Sequence, residues 1–94
     1  MIHPGLTIRK STTEERRAGF PPIVAGNLKR IRVPKYVVVS LANDNIVSVF
    51  GLPQGGDTRA EAVFWAERCA SKNGFDLELP DGWDKIEGKL PKED

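Results

Sequence analysis

Between Tyr36 and Gly74 two β-branched runs, a Gly-rich connection and one Ala-rich amphipathic segment follow one another, and this order restricts the chain to a small sheet packed by a single main helix. Tyr36 to Ala42 and Ile46 to Leu52 read as strands rich in Val and Ile. Asn43-Asp44-Asn45 joins them, a run that tolerates positive φ. Whether a two-residue loop is Asn43-Asp44 or Asp44-Asn45, the paired residue numbers sum to an odd value. Side chains therefore sort identically: Val37, Val39, Leu41, Ile46, Ser48 and Phe50 on one face, and Tyr36, Val38, Ser40, Val47 and Val49 on the other. Both faces are mainly apolar, unlike a sheet with one side in water, so each needs cover.

The helix is expected to start at Asp57 or Thr58 as N-cap and to reach about Lys72, with Asn73-Gly74 as its stop. Ala62, Val63, Ala66, Cys69 and Ala70 share one stripe, whose small residues allow close approach to a sheet. Cys69 on that stripe reads as a buried structural thiol. Phe64 projects away from the stripe, among Glu67, Arg68 and Ser71, where it is either covered by the tail or the N-terminal loop or anchors a partner. A short strand over Phe75 to Leu79 and a Pro80-Asp81-Gly82 turn follow, after which Trp83 pins the end of the domain to the core.

Before this block, Met1 to Lys10 holds Pro4-Gly5 and no sustained period, and reads as a flexible arm. Two capping-box registers are available, Ser11 with Glu14 and Thr12 with Glu15, for a short helix over Thr12 to Ala18 that Gly19 and Pro21-Pro22 end. Phe20, Ile23 and Val24 flank the prolines as a loop laying apolar side chains on the core. Asn27 to Val33 alternates as an edge strand that Pro34 closes. Lys85 to Asp94 reads as a poorly ordered tail. Residues 11 to 84 thus form a single α+β domain, a small antiparallel sheet of three to four strands packed by one main helix, with a short N-terminal helix. A chain of 94 residues has room for one core and no more.

Chemistry is harder to find than structure. Acid–base catalysis relies most often on histidine, and His3 on the arm is the only one. Zinc would need about four Cys or His ligands, and two exist. Gln54-Gly55-Gly56-Asp57 lacks the glycine spacing and the Lys-Ser/Thr ending of a phosphate-binding loop, and Asp57 would repel an anion. No catalytic residue, metal or cofactor is assigned. No apolar run spans a membrane and no signal segment follows Met1, which with one unpaired Cys points to the cytoplasm.

Binding remains, and charge placement offers two versions of it. The first 40 residues carry eight cations against two carboxylates, a net +6, and the remainder carries six against eleven, a net −5. As a nucleic-acid module the chain would use Lys29, Arg30, Arg32 and Lys35 on the edge strand, extended by Arg16 and Arg17. Three strands followed by one packed helix over Asn27 to Gly74 resemble, in element order alone, the small sheet-plus-helix DNA-binding modules of the integrase arm-binding type. As a protein-binding regulator or inhibitor, of the size and style of accessory proteins of phages and mobile elements, it would use Phe64, Trp65, Glu61, Glu67 and Trp83. The expectation leans to a protein partner, with the chain a monomer or a homodimer joined through the second sheet face.

Overall fold

A computed structural model describes residues 5–20 and 31–89 of the chain. In chain order the elements are β1 (Gly5–Lys10), α1 (Thr13–Ala18), β2 (Tyr36–Ser40), β3 (Ser48–Val49), β4 (Leu52–Pro53), β5 (Gly55–Gly56), α2 (Arg59–Asn73) and β6 (Asp76–Glu78). Four strands form one sheet in the order β5-β2-β1-β6, and β3 pairs with β4 in a separate small ribbon. The architecture is α+β. β2 lies antiparallel to both β1 and β5, whereas β6 joins β1 in parallel, because the chain crosses the sheet through α2 before returning.

Gly5–Lys10 is therefore no arm. Leu6 and Ile8 alternate with Thr7 and Arg9, and the two apolar side chains, each 2% exposed, occupy the centre of the core beneath α2. With Val38 of β2 they meet the small-residue stripe of α2, Ala62, Val63, Ala66, Cys69 and Ala70, all of it buried. Thr58 caps α2, its Oγ1 accepting the Glu61 N–H, and Gly74 ends it in the left-handed conformation. On the opposite face Val37 and Val39 pack with Val33, Phe20 and Ile46. Phe20 is fixed there by paired backbone hydrogen bonds with Ile31, so the N-terminal third contributes cover to the second sheet face.

Of the two capping registers, the chain uses Thr12 with Glu15: the Thr12 hydroxyl accepts the Glu15 N–H, and the Glu15 carboxylate accepts the Thr12 N–H. The same carboxylate takes both terminal nitrogens of Arg9, while Arg9 Nε donates to Asp44 at 3.0 Å. This cluster ties α1 to β1 and to the loop after β2. Arg9 holds the Glu15 carboxyl at about 2, well below its ordinary 4.5.

Three further expectations are corrected. Ile31–Lys35 is not a strand: Ile31 makes an isolated bridge and Arg32–Lys35 is irregular, while Asn27–Arg30 lies outside the described residues. Over the described residues 31–74 the order is instead β2, β3, β4, β5 and α2, without the edge strand that the resemblance counted first. The domain extends past residue 84 into the expected tail, since Ile86 packs on the core and the Lys89 N–H donates to the Ala60 carbonyl. Gly88 passes so close to α2 that a Cβ there would sit 2.8 Å from the Phe64 nitrogen, which explains why no larger residue occupies the crossing.

The third correction concerns Ile46 to Leu52. The loop after β2 is longer than two residues, with Asp44 at φ 58° and Val39 bridged to Ile46. The odd sum is kept, so the faces sort as expected near the turn. Beyond Val47, however, the chain leaves the sheet. Val38 accepts the Val47 N–H but donates its own to Gln54, so that Ser48–Pro53 is looped out as the β3–β4 hairpin and β5 replaces it at the edge of β2. Gly55 is required at that return, because a Cβ there would collide with the Tyr36 carbonyl.

Candidate functional site

The looped-out hairpin turns on Phe50-Gly51, with φ at 52° and 76°. Two successive positive φ values are the signature of a type I′ turn, whose right-handed twist suits a tight hairpin. Gly51 adopts this conformation without cost; Phe50 does not, because its Cβ crowds the backbone. Among the described residues the ring gains no compensating burial. Phe50 is 96% exposed, and Leu52 beside it is 51% exposed.

One face of α2 runs alongside the hairpin. Glu61, Trp65, Arg68 and Lys72 recur at the spacing of a single helical stripe, next to the buried one. Between this stripe and the hairpin lies a groove made of two adjoining hollows that share Leu52, Gln54 and Trp65. The hollow at the Glu61 end, about 320 Å³, reaches Arg32 and Asp57; the other, about 210 Å³, is walled by Val49, Phe50, Arg68 and Lys72. Gln54 braces the hairpin to the helix, its Nε2 donating to the Leu52 carbonyl at 3.3 Å and its Oε1 facing the Cys69 sulfur at 3.7 Å. Burial pushes the Cys69 thiol up, which suits the structural role expected of it.

The sequence-named candidates divide around this feature. Trp65 and Glu61 front the groove. Glu67 is exposed but is not part of the groove lining. Phe64 is half-buried, its backbone beneath Gly88 and its ring edge-on to Trp65 at 5.2 Å. Trp83 is half-buried with its ring 5.3 Å from Tyr36 and the Arg59 guanidinium 5.5 Å away, a position that fastens the C-terminal segment to the core. Phe50, Leu52, Arg68 and Lys72 were not singled out by the sequence; a Phe-Gly pair followed by Leu-Pro was the available turn signal.

The described basic candidates differ in what they contact. Arg32 spends its guanidinium on both oxygens of Asp57, at 2.9 and 3.0 Å, and Asp57 also accepts the Lys35 N–H. Arg32 holds the Asp57 carboxyl below its ordinary value. Arg16 and Arg17 are exposed on α1, Lys35 is exposed with its Nζ 5.6 Å from the Tyr36 ring, and Lys29 and Arg30 lie outside the described residues, as does His3. Among the described residues no group of three or more His, Cys, Asp or Glu side chains is placed to hold a metal ion, and no helix is long and apolar enough to cross a membrane. No protein-family model matches the chain, and neither a curated protein nor a solved structure matches it.

Proposed function

We propose that the chain is a non-enzymatic binding protein that docks on another protein through the β3–β4 hairpin, with Phe50 as the anchor and Trp65 and Leu52 beside it. The observation that carries this reading is the conformation of Phe50: an aromatic ring held at positive φ and left in water costs the isolated chain free energy twice. A ring so presented suits insertion into an apolar pocket of a partner, where aromatic anchors contribute most. The bidentate Arg32–Asp57 pair speaks against the nucleic-acid alternative, because a phosphate would have to displace a carboxylate already seated on that cation.

The test compares the wild type with Phe50→Asn as bait in quantitative affinity capture, followed by titration of the purified captured protein. A partner bound at least about tenfold more weakly by the variant supports the proposal. Micromolar, salt-sensitive binding to labelled duplex DNA or single-stranded RNA that ignores Phe50→Asn and disappears in Arg16→Ala/Arg17→Ala would overturn it.

A further inference from the structure

The groove beside the hairpin has an electrical direction as well as an apolar floor. Its middle is Trp65 and Leu52, its one end holds Glu61 with the internally paired Arg32 and Asp57, and its other end presents Arg68 and Lys72. Arg68 and Lys72 are exposed, and among the described residues neither takes part in an ion pair. The cations at one end are thus available to an incoming anion, while those at the other are already neutralised. Gln54 links the two walls, contacting the Leu52 carbonyl on the hairpin and the Cys69 sulfur on α2, while β5 holds the base of the hairpin to β2.

Resting on the docking role of the hairpin, we infer that this groove receives an amphipathic segment of the partner protein whose apolar side chains lie on Trp65 and Leu52 and whose carboxylates meet Arg68 and Lys72. The charge asymmetry fixes the segment's orientation, its acidic end lying toward the C-terminus of α2. Phe50 closes the groove at that end and enters the partner, so knob and groove act as the two halves of one interface. Exposed charges of this kind set orientation and selectivity more than total affinity, and their effect is screened by salt.

The experiment selects peptides from a random display library on the immobilised wild type, on Arg68→Glu/Lys72→Glu and on Phe50→Asn, and then measures synthetic copies of the enriched peptides by fluorescence anisotropy at low and high salt. Both side chains to be reversed are exposed, and circular dichroism of the variant serves as the check that the fold is kept. The inference expects wild-type peptides that combine Asp or Glu at one end with apolar residues. It expects about tenfold weaker binding to the charge-reversed variant, and a similar loss when the peptide's Glu and Asp become Gln and Asn. Peptides that bind both proteins equally would overturn the inference, and if they still lose affinity for Phe50→Asn the hairpin reading stands without it. Absence of any enriched peptide, together with no Phe50-dependent protein partner, would remove both. Sedimentation showing a dimer that Trp65→Ala dissociates would make a second copy the occupant and overturn the acidic-segment assignment.

Discussion

Replacing Phe50 by Asn separates the needs of the fold from those of a partner. In the isolated chain Phe50 sits at φ 52° and is 96% exposed. The left-handed conformation costs an ordinary L-residue about 1–2 kcal/mol, and Asn, which adopts it routinely, recovers most of that. Almost nothing is lost in exchange. With 4% of the residue shielded, taken against about 200 Å² for a Phe, the forfeited burial is on the order of 0.2 kcal/mol. The variant should therefore be more stable by roughly 1 kcal/mol, which in a domain of this size raises Tm by about 4–8 °C. Where the hairpin opens ahead of global unfolding, the gain appears in hydrogen exchange of Ser48–Pro53 instead. Thermal unfolding by circular dichroism and urea titration measure it. A loss of 1 kcal/mol or more would refute the reasoning, since it would mean that the ring packs on the isolated chain.

Other consequences concern the framework. Val63→Ala, at a fully buried position against Leu6, Ile8 and Val38, should cost about 2 kcal/mol in urea unfolding without altering the hairpin. Glu15 lies well below its ordinary value in the folded chain, so its contribution to stability is complete above about pH 4.5 and is lost as the pH falls toward 2. Urea midpoints for the wild type should decline through that window, and those for Glu15→Gln should decline less. Cys69, buried and with its thiol pushed up, should react with a thiol reagent at pH 8 far more slowly in the native than in the urea-unfolded protein, and equal rates would contradict its placement.

Much of the framework is legible in the residues because it depends on local rules. The small-residue stripe of α2, the Thr58 cap and Gly74 stop, and the Thr12–Glu15 box each follow from a spacing of four residues or fewer, and each occurs. The two apolar sides of β2 are likewise set by alternation alone. β1 is hidden in the sequence because it opens on the glycine of Pro4-Gly5 and closes on Arg9-Lys10, although Leu6-Thr7-Ile8 already alternates. Its central place comes from pairing with β2 and β6 across more than two dozen positions, which no local period records. The candidate site was hidden for a different reason. Ile46–Phe50 has the β propensity of a continuous strand, and the loop-out shows only in long-range pairing, where the Val38 N–H donates to the Gln54 carbonyl and not to that of Val47. A Phe at positive φ violates the local rule for its residue type, and such violations concentrate where function sets the conformation.

The central claim is that Phe50 enters a partner protein, and site-specific photocrosslinking tests it most directly. A benzophenone side chain is placed at position 50 and, in a second protein, at position 17 on the exposed surface of α1, and each is irradiated in lysate of the organism that encodes the chain. The account predicts one protein cross-linked from position 50, lost on Trp65→Ala and absent from position 17. Cross-links to nucleic acid or protein from position 17 alone, with none from position 50, would contradict it.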